Sequence, residues 1–336
     1  DQGLPVHVPS IKVVTIGAGG GSIAWSDGFR LQVGPHSAGA DPGPACYGRG
    51  GTEPTVTDAN LLLGRLSVDA PLAGGIALDV DAARRAVSAL GASLGLELQR
   101  CAEGIVAVAN AEMVRALRVV TVQRGIDPRR FALLAFGGAG PLHAAAIADE
   151  LGISRIVCPR ASGVLAALGL VVSPRRRDVQ RSVMLSGGSL STGSVAEVIA
   201  ELGERARAEL GEPRADLRAI CELRYRGQAF ELPVPAGAEA SPAELRERFE
   251  AAHEERYGYR DAEQELELVT VRVSATVPGA DVALAVQPGD GPAPGTRIAG
   301  PATVGLPEST VFVPAGWAGE VDAVGTIRLR RRHGRG

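Results

Sequence analysis

Apolar positions recur along this chain in two different periods. From Asp79 to Leu96 they fall at helical spacing. A longer helix is predicted from Leu98 to Arg124, where Ile105, Val108, Ala109, Met113, Ala116, Leu117 and Val120 lie three and four residues apart. Gly125 suits the left-handed position that ends a helix, and Asp127-Pro128 turns the chain. Phe131 to Phe136 reads as a short buried strand, Gly137-Gly138-Ala139-Gly140 as a turn, and Pro141 to Leu151 as a helix opening on proline. Arg155 to Cys158 follows as a strand and Ser162 to Leu170 as a short helix capped by Ser162. This order predicts a partly parallel sheet covered by helices.

Ahead of these elements, Ile11 to Ile16 is β-rich and enters Gly17-Ala-Gly-Gly-Gly21-Ser22. Ile23 to Trp25 reads as a returning strand, and Asp27-Gly28 as the hairpin turn before Phe29 to Val33. Residues 34–60 are rich in Gly and Pro, yet Cys46, Tyr47, Val56 and Leu61 to Leu63 are woven through them and just beyond. A long turn-rich loop of that kind is functional rather than disordered. Beyond Ser186 to Gly193, a linker-like cluster, a helix is predicted over Val195 to Leu210. Paired strands follow over Ile220 to Tyr225 and Phe230 to Val234. Ser241-Pro-Ala-Glu244 is a capping box opening a helix to Tyr257. Leu266 to Val277 alternates as a strand, Thr310 to Val313 and Thr326 to Leu329 close the fold, and the arginine-rich tail frays. The expected organisation is an α/β domain over residues 1–185, a linker at 186–193, and a smaller α+β domain over 194–330.

Composition narrows the chemistry. Of 336 residues, 45% are hydrophobic and 22% charged, with a net charge of −3, so the chain has no bulk attraction for nucleic acid or an anionic membrane. Lys12 is the one lysine, which removes a P-loop or Schiff-base mechanism elsewhere in the chain. Cys46, Cys101, Cys158 and Cys221 are too dispersed for a zinc knuckle or a disulfide framework and fit a reducing cytoplasm. The longest apolar run, Gly163 to Val172, is about half of a membrane span. The chain begins at Asp1 inside ongoing structure, as expected for a piece of a longer polypeptide.

Candidate chemistry concentrates in two places. The Gly137-Gly138-Ala139-Gly140 turn presents a helix N-terminus that favours an anionic or polar ligand, against the alternative of tight strand–helix packing. Asp58, in Thr55-Val-Thr-Asp58-Ala-Asn60, either acts as a general base or magnesium-water ligand, or caps the helix or turn after it. Cys46 is a nucleophile if His36 reaches it and otherwise a small buried residue. His143 either touches a ligand or is a satisfied core histidine.

Taken together, Ile16-Gly-Ala-Gly-Gly-Gly-Ser22, Val33-Gly-Pro-His-Ser-Ala-Gly-Ala40, Pro42-Gly-Pro-Ala-Cys-Tyr47-Gly-Arg-Gly-Gly51, Pro54-Thr-Val-Thr-Asp58-Ala-Asn60, Arg124-Gly-Ile-Asp-Pro-Arg129 and Phe136-Gly-Gly-Ala-Gly-Pro-Leu-His143 resemble the hydantoinase A/5-oxoprolinase family. Arg224-Tyr-Arg-Gly-Gln228, Tyr257-Gly-Tyr259 and Val313-Pro-Ala-Gly-Trp317 extend the likeness to the family's carboxy-terminal domain. The resemblance implies the actin-like ATPase fold shared with sugar kinases and heat-shock chaperones, with Gly137, Gly138, Ala139 and Gly140 as the adenosine-binding turn. It implies ATP and Mg²⁺ as cofactors, a hydantoin- or 5-oxoproline-like cyclic amide opened through phosphorylation of its oxygen, and a B-type partner subunit. By the same resemblance, Asp58 orients magnesium or a nucleophile, and Gly19, Gly20, Gly21 and Ser22 offer N–H groups to an oxyanion or phosphate. Asn60 and His143 belong to the cleft. Acetone- or acetophenone-type carboxylation is the nearest alternative, followed by a non-catalytic module that binds the B-type subunit. The Gly-Gly-Thr hairpins that bind phosphate in this fold are missing from residues 1–336. The chain therefore resembles the carboxy-terminal part of a longer protein, expected to bind ATP weakly and not to hydrolyse it alone.

Overall fold

The computed structural model describes residues 11, 13–68, 75–282 and 291–332. The chain forms two units: residues 1–168 with 283–336, and Gly169–Val282.

In the first unit, β1 (Ser22–Ser26) and β2 (Leu31–Ser37) pair antiparallel. Asp27 Oδ1 closes their turn by accepting from the N–H groups of Phe29 and Arg30 at 3.0 and 2.8 Å. Three helices follow: α1 (Val56–Leu62), α2 (Val80–Leu94) and α3 (Leu98–Val120). Asp79 caps α2 by accepting from Ala82 N–H at 2.8 Å. Ala24, Val56, Ala59, Val87, Leu90, Cys101, Ile105 and Ala109 bring the apolar stripes of these helices against β1 in one core. Gly125 stops the 3₁₀ extension of α3 at φ 74°.

The chain from Phe131 onward then gives β3 (Leu133–Leu134), α4 (Gly140–Leu151), β4 (Arg155–Cys158) and α5 (Leu165–Val172). β3 is a two-residue strand rather than the buried strand expected over Phe131 to Phe136: Phe131, Leu134 and Phe136 are about half exposed. It ends its sheet and pairs with β4 on one side only, in parallel. Ser162 does not cap a helix. Its hydroxyl donates to the carbonyl oxygens of Pro159 (2.5 Å) and Ala135 (3.4 Å), tying the turn after β4 to β3. Residues 13–16, read as β-rich, form no strand, and Val13 is 80% exposed.

The second unit contains β5 (Arg175–Ser186), α6 (Thr192–Leu210), β6 (Asp216–Tyr225), β7 (Leu232–Ala236), α7 (Pro242–Tyr257) and β8 (Leu266–Val277). Its antiparallel sheet runs β5-β8-β6-β7. Val195, Ile199 and Leu202 of α6 and Leu245 and Phe249 of α7 cover one face, above Leu223, Val271 and Val273. Each such buried aliphatic side chain contributes roughly 1.5–3 kcal/mol. Cross-strand ion pairs, among them Arg224–Glu267 at 2.7 Å, occupy the alternate positions. Ser241 and Glu244 close the expected capping box on α7.

The polypeptide then returns to the first unit. β9 (Arg297–Ala299), β12 (Trp317–Val321) and β13 (Ile327–Arg331) extend the first sheet to the order β3-β4-β13-β12-β9. β10 (Ala302–Leu306) and β11 (Ser309–Val313) form a separate hairpin. β13 pairs antiparallel with β4 through Ile327↔Cys158 to Arg330↔Arg155, so part of the arginine-rich tail is strand; residues 333–336 lie outside the described residues. The units therefore divide the chain differently from the expected 1–185 and 194–330. The expected linker at 186–193 is the end of β5, a 3₁₀ turn and the start of α6.

Candidate functional site

A cavity of about 730 Å³ opens in the first unit. Gly20, Gly21 and Thr57 form one part of its wall, Gly138, Ala139 and Leu142 another, and Thr303 to Thr310 of the β10–β11 hairpin a third, completed by Tyr47, Leu66 and Ile76. The two glycine runs, far apart in sequence, thus meet at one space. A Cβ built on Gly20 would stand 3.6 Å from Cβ of Ala139 and 2.9 Å from Oγ1 of Thr57. Thr57 pins the first run: its N–H and its hydroxyl donate to the Gly20 carbonyl at 2.9 and 2.8 Å. Ser22 shapes it from below, accepting from Gly19 N–H at 2.9 Å and donating to the Gly17 carbonyl at 3.2 Å.

The second run is held from two sides. Gly137, at φ 83°, donates its N–H to the Ser162 carbonyl at 2.7 Å. The Ser309 hydroxyl bridges the carbonyl oxygens of Gly137 (3.0 Å) and Gly138 (3.3 Å). No side chain caps α4, and the N–H groups of Gly138 and Ala139 meet no protein acceptor among the described residues. A helix N-terminus with open donors at a cavity wall suits an anionic or polar ligand.

Asp58 is not on that wall. It is fully buried, and its two oxygens receive Thr55 N–H and Thr55 Oγ1–H (both 2.8 Å), Cys46 N–H (2.7 Å) and Ala45 N–H (3.3 Å). Thr55 is the N-cap of α1 and Asp58 its reciprocal partner, so the carboxylate braces α1 against the 45–47 turn. These donors occupy the lone pairs that a magnesium-bound water would need. Cys46 is buried, and burial together with the Asp58 carboxylate pushes its thiol far up, so it is no nucleophile at neutral pH.

Asn60 and His143 also lie behind the wall. Asn60 is buried, donates from Nδ2 to the Val56 carbonyl at 3.0 Å, and accepts from Arg65 at 3.4 Å. His143 is 1% exposed, and its Nδ1 is 2.7 Å from Oδ1 of Asn110. Because that amide oxygen only accepts, Nδ1 carries the proton, and Nε2 is left buried without a partner. Burial first, and the nearby Arg65 charge second, lower the His143 pKa to about 4, so the ring is neutral at physiological pH. The Arg65 guanidinium lies 5.0 Å above the Phe312 ring.

Of the residues singled out from sequence, Gly20, Gly21, Gly138 and Ala139 line the cavity. Gly19, Ser22, Gly137 and Gly140 flank them, and Asp58, Asn60 and His143 support from behind. Sequence reading missed Tyr47, Thr57, Glu308 and Ser309. Thr57 sits inside a block already singled out, whereas Glu308 and Ser309 occupy a hairpin turn that carries no motif. Among the described residues no group of three or more His, Cys, Asp or Glu is placed to hold a metal ion, and no helix is long and apolar enough to cross a membrane.

The family model for hydantoinase/oxoprolinase matches residues 2–179. The caprolactamase subunit alpha of Pseudomonas jessenii is 35% identical across 98% of this chain and 54% of its own length. The crystal structure of ATP-dependent caprolactamase from the same organism superposes with a TM-score of 0.67 at 33% identity, over 97% of this chain and 54% of that one. The nucleotide-free structure of acetone carboxylase shares the fold, with a TM-score of 0.82 at 22% identity over 94% of this chain and 52% of that one. The chain thus spans about half the length of the relatives it matches. With a family model covering more than half of its residues and a relative aligned over nearly all of them, the chain belongs to the hydantoinase/oxoprolinase family.

Proposed function

We propose that this chain supplies the nucleoside-binding part of an ATP-dependent enzyme that opens a cyclic amide. The observation that carries the reading is the convergence of Gly20–Gly21 and Gly138–Ala139 on one cavity whose wall includes open backbone N–H groups. The likeness to an ATP-dependent caprolactamase supports it.

The residues present fit the neutral part of a nucleotide: a cavity of about 730 Å³, backbone donors, hydroxyls from Thr57, Ser309 and Thr310, and apolar Leu66, Leu142 and Leu306. They do not fit magnesium. The Asp58 oxygens are occupied, and among the described residues Glu308 is the only carboxylate on the wall. The described residues therefore supply no magnesium site. ATP supplies the phosphoryl group that would convert an unreactive amide oxygen into a leaving group. The role of this chain is to position the nucleotide and to exclude water around it.

The actin-like ATPase arrangement expected from the motifs belongs to the same proposal, as does a B-type subunit completing the reaction. The word "subunit" in the relative's name supports the latter. Titration calorimetry of the 336-residue chain with Mg-ATP tests the reading. Binding weaker than micromolar without turnover is expected, and cyclic-amide-dependent turnover once the longer protein and its partner are combined. Micromolar affinity with turnover from this chain alone overturns the division of labour, and the absence of any nucleotide binding overturns the site.

A further inference from the structure

Among the described residues, the proposed nucleotide cavity has a single charged side chain on its wall. Glu308 lies in the tight turn between β10 and β11, whose register closes at Leu306↔Ser309. Every other lining side chain is apolar, a hydroxyl or absent, as at the glycines. Glu308 is exposed, and among the described residues its carboxylate has neither an ion pair nor a hydrogen bond. Its backbone and Cβ are nonetheless held in place. The neighbouring Ser309 hydroxyl bridges the Gly137 and Gly138 carbonyls. On another side the hairpin tip touches Gly163 so closely that a Cβ there would collide with Cβ of Glu308 and with its carbonyl oxygen. The Glu308 carbonyl also lies 3.9 Å from where a Gly138 Cβ would stand. The carboxylate is thus carried on a turn locked to the glycine run.

A negative charge carried on a held turn in an otherwise uncharged cavity sorts the parts of a ligand. It repels phosphate and accepts strong, charge-assisted hydrogen bonds from hydroxyl groups. The open N–H groups of Gly20, Gly21, Gly138 and Ala139 do the reverse and favour anionic oxygen. Building on the reading of this cavity as a nucleotide site, we propose that Glu308 accepts hydrogen bonds from the 2′- and 3′-hydroxyls of the nucleotide ribose. The bound nucleotide then has one direction: sugar against the β10–β11 turn, phosphates toward the N–H groups of Gly20 and Gly21. Specificity for ribonucleotides follows from Glu308 and not from the glycine turns.

Binding to the 336-residue chain is measured by NMR titration with ATP, 2′-deoxy-ATP, 3′-deoxy-ATP and inosine triphosphate, for the wild type and for Glu308→Gln and Glu308→Ala. The wild type is expected to bind ATP roughly tenfold more tightly than either deoxy analogue, the effect of losing a hydrogen bond to a charged group. In Glu308→Ala that ratio collapses to near one, and Glu308→Gln falls between. Because Glu308 is exposed, thermal midpoints stay unchanged, which separates lost recognition from lost folding. Equal wild-type affinity for ATP and both deoxy analogues overturns the proposal while leaving the nucleotide site standing, and so does a ratio that survives Glu308→Ala. Discrimination against inosine triphosphate that disappears in Glu308→Ala overturns it by placing the base amine at the carboxylate. If no nucleotide binds at all, the site reading itself fails.

Discussion

Replacing Asp58 separates a bracing carboxylate from a catalytic one. The side chain takes three short hydrogen bonds, at 2.7, 2.8 and 2.8 Å, and a longer one at 3.3 Å, all without access to water. Asp58→Ala orphans the buried N–H groups of Thr55 and Cys46 and weakens the cap of α1. Each unsatisfied buried donor costs about 1–3 kcal/mol. Part of this is offset, because the variant no longer buries a charge. The net loss is therefore expected at about 3–5 kcal/mol, a large fraction of the roughly 5–15 kcal/mol that holds a typical domain. Asp58→Asn keeps one acceptor but turns an NH₂ toward N–H donors, so about half of that loss is expected, on the order of 2 kcal/mol. Equilibrium urea unfolding reads both directly, with nucleotide titration run on the same samples below the unfolding transition. A destabilisation under about 1 kcal/mol, accompanied by abolished binding or turnover, refutes the argument, because a carboxylate removed from chemistry but not from the scaffold would behave that way.

Other perturbations probe the cavity wall and its support. Gly163→Ala drives a methyl group into the β10–β11 turn and is expected to lower the thermal midpoint and weaken nucleotide binding together; Ser309→Ala removes only the bridge to the Gly137 and Gly138 carbonyls and costs about 1 kcal/mol in urea unfolding. The folded-state pKa of His143, about 4, lies below its ordinary 6.5, so between these values the unfolded chain binds a proton that the folded chain refuses, and stability falls as pH falls. That difference of 2.5 corresponds to about 3 kcal/mol across the window, and His143→Gln is expected to flatten this part of the stability–pH curve relative to wild type. Gly137→Ala strains a residue at φ 83° and is expected to destabilise, whereas Gly138→Ala and Gly140→Ala leave stability unchanged or raise it by up to about 1 kcal/mol but reduce nucleotide affinity several-fold in calorimetry.

The elements that could be read from sequence are those whose signals are local. α3 follows its three-and-four spacing, Ser241 and Glu244 close their box, and β8 spans the run Leu266 to Val277 in full. Readings failed where the same residues serve two purposes. Ser186 to Gly193 has the composition of a linker, yet Ser186 with Ser189 and Ser191 with Ser194 form reciprocal caps, and caps and linkers draw on the same small polar residues. Phe131 to Phe136 is apolar enough for a buried strand, but burial depends on neighbours on both sides, and the described residues provide only β4. The return of the last strands to the first unit rests on β13 pairing with β4, a long-range register that no local pattern encodes. Glu308 and Ser309 were invisible for the same reason: a Pro-Glu-Ser turn acquires meaning only once it lies against Gly137, Gly138 and Gly163.

The choice between ligand and packing at the glycine turns rests on what each glycine would meet if it carried a side chain. Gly137 needs its positive φ, and a methyl group on Gly20 would stand 2.9 Å from Thr57 Oγ1, so local geometry explains both. Gly19 and Gly140 have no positive φ, and a Cβ on either would meet nothing within 4 Å; on Gly138 it would meet only the Glu308 carbonyl, at 3.9 Å. Glycine also costs roughly 0.5–1 kcal/mol relative to alanine in regular structure, including the first turn of α4 where Gly140 sits. Packing thus gives no reason for glycine at 19, 138 and 140, and folding alone would favour alanine. A ligand approaching the backbone does give a reason, because a methyl group there would occupy the ligand's volume and shield the N–H groups that face it. Equally open glycines stand elsewhere, at 169, 188 and 237, but 19, 138 and 140 lie on or beside the one cavity where both runs meet, and that position is what an occupant of the cavity would require.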